Sequence, residues 1–459
     1  MKVLFATAEL TPVARVGGLA EAAAGLVRAL RDAGVDVQVV LPDYGDIALA
    51  RQSEVAVDVP WWVGPVTVRR GTHAVVGDLT LVHVEGMTRP HPYVDEHGES
   101  WPDNDHRFMA FSAVVAALAE SSRPDVVHLN DWHTAAATGL LTRPTPTVLT
   151  IHTLGYQGTM DRSWLEHLPI EAHRFAWYGG TNPIAGALEL ADRVIAVSPN
   201  YAAEIVTPEA GMGLHERLTA LGDRLVGIRN GIDVSVWNPA TDPHIDEVFS
   251  AETPEARRAC RAALASEAGW PDDNVPVLAM VSRLVEQKGI DLVLDAVRFL
   301  PGLPGRLAVL GSGAPELADV LAAAAAARPD AVWFVDGYDE PLAHRLFAGS
   351  DLFVMPSRFE PCGLAQMQAM AYGSIPVVTD VGGLHDTVVD ADTDRANGTG
   401  IVSPSVDAAG LIDALHRGVR VLRNGRRRQA VQHRGMREDW SWVEPAARHL
   451  EIYEEVSGG

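Results

Sequence analysis

The sequence predicts an α/β protein built from two doubly wound domains. Three observations support this fold class: continuous apolar runs of strand length recur along the chain, helical patterns lie between several of them, and the alternation stops once and then resumes. With 459 residues, of which 47% are hydrophobic, the chain is long enough to bury two large cores.

The first series of apolar runs predicts the strands of a mostly parallel sheet. These runs are VLFAT from residue 3, VQVVLP from 37, LTLVHVEG from 79, DVVHLN from 125, TVLTIH from 147 and RVIAVS from 193. They are continuously apolar rather than alternating, as expected of strands covered on both faces. After the first run, Leu19, Ala23, Leu26 and Leu30 recur at helical spacing until Gly34. Strand, helix and strand therefore form a βαβ unit.

The periodicity is interrupted over residues 230–256, where Pro, Asp and Thr accumulate, so this segment is expected to connect two domains. The second series of predicted strands is VPVLAMVS from 275, RLAVLG from 306, AVWFVDG from 331, DLFVMPS from 351 and IPVVTDV from 375. The alanine-rich run from 321 predicts a surface helix, and WVEPAARHLEIYEEV predicts a packed terminal helix. We therefore expect domains at 1–238 and 239–440, followed by a terminal helix within 441–459.

Composition excludes several classes of partner. The formal net charge of −23 repels nucleic acid and anionic membrane surfaces. No run approaches the length of a transmembrane helix, and the apolar start of the chain is too short for a signal peptide. Two cysteines are too few for a disulfide framework, which suits a reducing compartment. We expect a cytoplasmic protein without a nucleic-acid or membrane partner; its oligomeric state stays open.

Two loops that follow predicted strands carry residues suited to a phosphate. In TPVARVGGLAEA, Gly17 and Gly18 let the backbone approach a ligand at the start of a helix, and Arg15 adds positive charge. In SRLVEQKG, Arg283 and Lys288 flank the start of another helix and could hold a diphosphate. Each pattern has a plain alternative, a tight turn for the first and solvated surface charges for the second.

Metal and cofactor sites receive less support from the residues. LGSGAPE from 310 lacks the third glycine of a dinucleotide fingerprint, so it is weak evidence for NAD. Asp392 and Asp394 imitate a metal-binding D-x-D motif but follow no strand. His128, Asp131 and His133 could be metal ligands, although side chains at a strand end more often position a loop or contact a substrate. We expect neither a metal nor a cofactor.

The motifs together resemble those of bacterial glycogen and starch synthases. They are TPVARVGGLAEA, WPDNDHRFMAFS, HLNDWHTA, TIHTLGYQG, ADRVIAVSPNYAAEI, RNGIDVSVWNP, SRLVEQKGIDLVL, GYDEPLAHRLFAGSDLFVMPSRFEPCGLAQ and VGGLHDTV, in the family's order over nearly the whole chain. The resemblance implies the GT-B fold, with two facing Rossmann-like domains, a cleft between them and a terminal helix that crosses back to the first domain. It also implies retaining, metal-independent transfer of glucose from ADP-glucose to a growing α-1,4-glucan.

The resemblance assigns roles to individual residues. Glu360 matches a glutamate that faces the donor sugar, His152 a histidine near the reactive carbon, and Tyr338 an aromatic beside the base. The diphosphate contacts implied are Arg15, Gly17, Gly18, Arg283, Lys288, Cys362, Gly363 and Leu364, and the acceptor-side residues are Glu21, Asn130, Asp131 and His133. Glu360, His152, Arg283 and Lys288 are expected to be catalytic.

Six positions depart from the family pattern. Arg15 replaces a lysine, Glu21 an aspartate, Ala185 a lysine, Ala365 a threonine, and Thr379 with Asp380 a basic and variable pair. These changes leave room for an enzyme of the same fold that glycosylates a small molecule in specialised metabolism. A non-catalytic sugar-binding relative is a further alternative, but the retained Glu360, Arg283 and Lys288 argue against it.

Overall fold

The computed structural model describes residues 1–298 and 305–458 and divides into two compact units. Unit 1 comprises Met1–Gly231 with Trp442–Gly459, and unit 2 comprises Ile232–Ser441. The boundary lies at 231 rather than at the predicted 238, because the backbone N–H of Ile232 donates to the Trp440 carbonyl at 2.8 Å and ties the connecting segment to the end of unit 2. Within the two predicted segments 239–440 and 441–459, residues 299–304 and Gly459 lie outside the described residues.

Unit 1 is organised around a large sheet. Its strands are β1 (Lys2–Ala6), β2 (Asp36–Pro42), β3 (Ala50–Glu54), β4 (Val66–His73), β5 (Gly77–Val84), β6 (Val126–Asn130), β7 (Thr147–Ile151), β10 (Arg193–Ala196) and β11 (Leu225–Gly227), with β8 (Ala176–Trp177) and β9 (Gly180–Thr181) forming a separate hairpin. The order in the sheet is β11-β10-β7-β6-β1-β2-β5-β4-β3. Pairing is parallel from β11 to β5, whereas β4 is antiparallel to both β5 and β3.

The parallel part of this sheet confirms the strands predicted from apolar runs, whereas its antiparallel edge was not predicted. All five residues of β3 are exposed, and β4 mixes buried with exposed positions. An edge covered on at most one face does not need a continuous apolar run. Its sequence therefore lacks the signal that marks the central strands.

The helices of unit 1 follow the strands in the expected alternation. They are α1 (Gly18–Asp32), α2 (Asn104–Ser122), α3 (Trp132–Ala135), α4 (Pro183–Leu190), α5 (Pro199–Glu204) and α6 (His215–Ala220). The predicted stripe of α1 is confirmed, since Leu19, Ala23, Leu26 and Leu30 are all buried. None of the helices in the described ranges is long and apolar enough to span a bilayer.

Unit 2 is a second doubly wound domain with an entirely parallel sheet. Its strands are β12 (Val277–Val281), β13 (Arg306–Gly311), β14 (Val332–Asp336), β15 (Leu352–Met355), β16 (Ile375–Thr379) and β17 (Ile401–Ser403), in the order β14-β13-β12-β15-β16-β17. Its helices are α7 (Arg257–Glu267), α8 (Ile290–Arg298), α9 (Pro315–Ala327), α10 (Glu340–Gly349), α11 (Ala365–Ala371), α12 (Gly382–Thr387), α13 (Ala408–Arg423) and α14 (Gly425–Arg437). The alanine-rich run lies in α9, as predicted.

The terminal helix α15 (Val443–Ser457) packs against α1 and the sheet of unit 1. The Tyr453 hydroxyl lies 2.5 Å from Nδ1 of His128 in β6, and the His449 ring stacks on the same imidazole at 5.9 Å. Trp442 covers α1 so closely that a Cβ on Gly25 would lie 2.0 Å from its indole nitrogen. Burial holds the pKa of His128 well below its ordinary value, and the pKa of His449 falls to about 4 for the same reason.

Candidate active site

The central feature of unit 2 is a buried ion pair between two predicted site residues. The Lys288 ammonium donates to Oε2 of Glu360 at 2.5 Å, and the Ser357 hydroxyl donates to the same oxygen at 3.0 Å. The Lys288 and Glu360 side chains are only 14% and 7% exposed. The structure therefore brings together two residues that the sequence placed in separate motifs.

Backbone contacts hold the two loops that carry this pair side by side. The Arg358 N–H donates to the Gln287 carbonyl at 2.8 Å, and the Gln287 side chain donates to the Phe359 carbonyl at 3.0 Å. Gly289 has a φ of +67°, and a Cβ there would lie 2.2 Å from the Pro356 carbonyl oxygen. Glycine is therefore required where the loop before α8 passes the end of β15.

A second ion pair reinforces the same junction. The Arg358 guanidinium binds both carboxylate oxygens of Asp291, at 2.8 and 2.6 Å, and also donates to the Glu286 carbonyl at 2.7 Å. Arg358 lowers the pKa of the Asp291 carboxyl, and Asp291 raises that of Arg358. The arginine two residues before Glu360 thus joins two loops, a contact that sequence reasoning missed.

Arg283 and Tyr338 lie on exposed loops at the carboxyl edge of the same sheet. Arg283 follows β12, and none of the described residues hydrogen-bonds its guanidinium. Tyr338 follows β14, is 57% exposed and donates its hydroxyl to Glu340 at 2.8 Å. Ligands of open parallel sheets bind at the carboxyl ends of the strands, where both residues stand.

The segment after Glu360 has its backbone fixed from two sides. Gly363 has a φ of +73°, and the Gln366 side-chain amide donates to the carbonyls of Cys362 and Gly363 at 3.1 and 3.0 Å. A Cβ on Gly383 would lie 2.2 Å from the Cys362 carbonyl oxygen, so the two segments touch through their backbones. Leu364 then precedes α11, whose first N–H groups lack intrahelical acceptors.

Two of the sequence departures lie in this part of unit 2. The buried Thr379 hydroxyl donates to the Ser357 carbonyl at 2.5 Å, and Ser357 in turn donates to Glu360. Thr379 therefore supports the position of Glu360 through one intermediate residue. Ala365 is the first residue of α11 and brings no side-chain hydroxyl to the helix start.

In unit 1, a glutamate that sequence reasoning missed organises the glycine loop. Oε2 of Glu9 accepts the N–H groups of Val16 and Gly17 at 2.9 and 2.8 Å, and Oε1 accepts the Tyr93 hydroxyl at 2.9 Å. Glu9 is 5% exposed. The only signal in the sequence is its position, an acidic residue shortly after the first predicted strand. Its carboxylate already occupies the Gly17 N–H expected for a phosphate.

The departures at Arg15 and Glu21 form a pair. The Arg15 guanidinium donates to the Glu21 carboxylate, with the side chains 28% and 23% exposed. The two residues that depart from the family pattern here thus form an ion pair with one another. The third departure in unit 1, Ala185, is fully buried in α4, where the Asn182 side chain accepts its N–H at 3.1 Å and Arg217 donates to its carbonyl at 2.9 Å.

The hydrogen bonds of Asn130 determine which ring nitrogen of His152 carries the proton. The Asn130 side-chain NH₂ donates to the Ala6 carbonyl at 2.9 Å, which directs its oxygen toward Nε2 of His152, also at 2.9 Å. Because an amide oxygen only accepts, Nε2 must carry the proton and Nδ1 keeps its lone pair. Burial lowers the pKa of His152 to about 3, so the imidazole is neutral.

Asp131 and His133 lie beside this pair at the end of β6. The Asp131 carboxylate accepts the N–H of His152 at 2.7 Å, and burial raises the pKa of Asp131 to about 7. The His133 ring packs against Trp132 and Tyr93, with centroids 4.2 and 4.9 Å away, and burial lowers its pKa to about 3. Unit 1 therefore offers neutral imidazoles rather than cations at this edge.

The candidate metal ligands have other contacts. Asp392 forms ion pairs with Arg417, Arg420 and Arg427, and Asp394 accepts N–H groups of its own loop. Across the described residues, no group of three or more His, Cys, Asp and Glu side chains could hold a metal ion.

Comparison with known families and relatives gives a consistent result. Residues 2–220 match the family described as "Starch synthase catalytic domain", and residues 266–433 match "Glycosyl transferases group 1". The chain is 38% identical to glycogen synthase 1 of Methylococcus capsulatus, covering 100% of this chain and 97% of the relative. It is 41% identical to glycogen synthase of Alkalilimnicola ehrlichii, covering 100% and 99%.

Solved structures agree in fold. The catalytic domain of starch synthase IV from Arabidopsis thaliana, bound to ADP and acarbose, superposes with a TM-score of 0.90 at 31% identity, covering 100% of this chain and 99% of that one. Sucrose-phosphate synthase from Thermosynechococcus elongatus shares the fold with a TM-score of 0.66 at 18% identity, covering 100% and 99%.

Proposed function

Because the chain belongs to the family of glycogen and starch synthases, and is therefore a hexosyltransferase with the GT-B fold, we propose that it transfers glucose from ADP-glucose to a growing α-1,4-glucan with retention at the anomeric carbon. The observation that carries the residue assignments is the buried Lys288–Glu360 pair, with the exposed Arg283 in the same loop as Lys288. A cytoplasmic location is part of the proposal, supported by two buried cysteines that form no disulfide.

Unit 2 supplies the charge for the leaving group. Cleavage of the bond between the anomeric carbon and the phosphate oxygen leaves the electron pair on the diphosphate. Arg283 and Lys288 lie in one loop after β12 and would stabilise this charge in place of a metal. Lys288 can serve both Glu360 and the diphosphate, because an ammonium has three donors on a flexible stem.

The sugar receives two kinds of contact in this proposal. Glu360 keeps one carboxylate oxygen on Lys288 and Ser357, so the other can stabilise positive charge on the ring or accept a sugar hydroxyl. His152 is neutral, and the lone pair on its Nδ1 can accept a hydroxyl proton in a hydrogen bond. The acceptor hydroxyl forms the new bond and transfers its proton to the departing phosphate, so no separate base is required.

The acceptor is tested by incorporation of labelled glucose. Wild-type protein with ADP-[¹⁴C]glucose and glycogen should yield precipitable labelled glucan, both with and without excess EDTA. Glu360→Gln should lose incorporation, while Glu255→Gln, a change at an exposed acid of the same unit, should retain it. Label released as free glucose without incorporation would contradict the glucan acceptor, and loss of all turnover in EDTA that is restored by magnesium would contradict the metal-independent step.

A further inference from the structure

A cluster of aromatic side chains on unit 1 lies outside all residues assigned to catalysis. Its members are Trp61 and Trp62 in the short 3-10 helix Trp61–Val63, and Trp164 and His167 in the 3-10 helix Arg162–His167. Trp61 is 88% exposed, whereas the other three are partly buried. We call these four residues the tryptophan platform.

The platform is built around His167. The centroid of its ring lies 6.4 Å from that of Trp61, 5.1 Å from that of Trp62 and 5.2 Å from that of Trp164. Trp62 and Trp164 meet edge to face at 5.7 Å. These ring contacts hold Trp61 on one side and leave most of its surface open to solvent.

Polar contacts fix the supporting rings in place. The indole N–H of Trp164 donates to Asp105 at 2.9 Å, and Nε2 of His106 donates to the Trp62 carbonyl at 3.3 Å. Asp105 and His106 belong to α2, which anchors the platform to the unit. Val59 and Gly64, which flank the turn carrying Trp61, are among the residues that line an open pocket of about 500 Å³.

The exposed Trp61 ring on its supporting aromatic side chains suits a sugar polymer better than it suits a nucleic acid, an anionic membrane or a metal ion. The flat C–H face of a glucose ring stacks on an aromatic face, whose π electrons carry partial negative charge, while the sugar hydroxyls remain hydrated. A single highly exposed tryptophan on prearranged supporting rings offers such a face at little ordering cost. The net charge of −23 disfavours anionic polymers but does not affect a neutral glucan.

We propose that the tryptophan platform is a non-catalytic docking site for an α-glucan chain, with Trp61 as the stacking residue. The identity of the glucan rests on the proposed function, whereas the platform itself does not. A polymer held there is retained near the enzyme between transfers, so the site should affect long acceptors and leave short ones unchanged.

The test measures glycogen binding without a donor, by affinity electrophoresis in gels that contain glycogen. Trp61→Ala should weaken binding about threefold to tenfold, the loss expected for one aromatic contact. Trp61→Phe, which keeps an aromatic face, should bind nearly as the wild type does. Tyr178→Ala removes an equally exposed aromatic, 89% exposed and outside the platform, and should change nothing.

Kinetics separate docking from a general structural effect. Trp61→Ala should raise KM for glycogen by the same factor and leave kcat and the KM for maltotriose unchanged. Unchanged glycogen affinity would overturn the platform, as would an equal loss with both acceptors or a change in oligomeric state on light scattering. Trp61-dependent glycogen binding by a wild-type protein that transfers no glucose would uphold the platform and refute the proposed function.

Discussion

The two strand-to-helix loops that carry the predicted phosphate contacts each lie against a buried carboxylate, but the partners of the two carboxylates differ. In unit 1, Glu9 accepts two backbone N–H groups and the Tyr93 hydroxyl. In unit 2, Glu360 accepts the Lys288 ammonium and the Ser357 hydroxyl. The Glu9 carboxylate stabilises the conformation of its own loop, whereas the Glu360 carboxylate positions the Lys288 ammonium.

This difference separates two loops that look alike in sequence. A backbone N–H cannot leave Glu9 unless the loop changes conformation, but a lysine can exchange partners by rotating its side chain. The Glu9 carboxylate also lies close to the start of α1, where it already satisfies the positive end of the helix dipole. We therefore expect anion binding to depend more strongly on unit 2 than on unit 1.

The largest effect is expected for the cation in unit 2. Lys288→Ala should lower kcat by about 10² to 10³-fold, equivalent to about 3 to 4 kcal/mol, because a donor to the leaving diphosphate is lost. Arg15→Ala in unit 1 should lose less, since the Arg15 charge is already paired with Glu21. Steady-state kinetics with ADP-glucose and glycogen measure both variants.

The matched control for the cation is Arg345→Ala, which removes a partly exposed charge paired with Glu267 elsewhere in unit 2. It should retain wild-type turnover. Equal losses for Lys288→Ala and Arg15→Ala would refute the asymmetry between the units, and full activity of Lys288→Ala would show that the lysine only neutralises Glu360.

The next effect concerns stability in unit 1. Glu9→Ala leaves the N–H groups of Val16 and Gly17 and the Tyr93 hydroxyl without this acceptor, which should cost about 2 to 3 kcal/mol of local stability. Hydrogen exchange followed by mass spectrometry should show faster exchange in peptides that cover residues 10–20. Glu54→Ala, at an exposed strand position, serves as the control and should leave that exchange rate unaltered.

The strands and helices of the two units could be predicted from the sequence better than the contacts of their buried carboxylates. Continuous apolar runs identified the central strands of both units, and helical spacing identified α1. Family motifs predicted that Lys288 and Glu360 are site residues, but they did not predict the contact between the two, since 72 positions separate them. Glu9 and Tyr93 are 84 positions apart, so only the folded chain brings that acid to the Tyr93 hydroxyl. Polar side chains carry no periodic signal that would indicate such long-range pairs.

A smaller effect, on the order of 2 kcal/mol between pH 5 and pH 8, is expected from a second carboxylate of unit 1. Burial raises the pKa of Asp131 from 3.8 to about 7, so between these values the folded protein binds a proton that the unfolded chain releases. The contribution of Asp131 to stability therefore falls as pH rises from about 4 to about 7. Asp131→Asn should gain stability relative to the wild type over this range.

Urea unfolding at pH 5 and pH 8 measures this effect. The difference in unfolding free energy between Asp131→Asn and the wild type should be larger at pH 8, while the exposed control Asp58→Asn should follow the wild type at both values. An identical pH dependence for Asp131→Asn and the wild type would show that Asp131 titrates in the folded protein as it does in the unfolded chain.

The smallest effect tests whether Lys288 depends on the neighbouring ion pair between Arg358 and Asp291. Arg358 and Asp291 are 31% and 48% exposed, so solvent screens their bidentate pair and its loss should cost about 1 kcal/mol. Arg358 lowers the pKa of Asp291, so this stabilisation is present at neutral pH and is lost as pH falls below the ordinary value of 3.8. Arg358→Ala should therefore be less stable than the wild type at pH 7 in low salt, and the difference should shrink in 1 M NaCl because the ions screen the pair. The stability of Arg358→Lys, which cannot bind both oxygens in the same plane, should fall between that of the wild type and that of Arg358→Ala.

A loss of several kcal/mol that persists in 1 M NaCl would contradict this expectation. It would show that the contact between Arg358 and the Glu286 carbonyl holds the Lys288 loop, and the Arg358–Asp291 pair would then belong to the site itself.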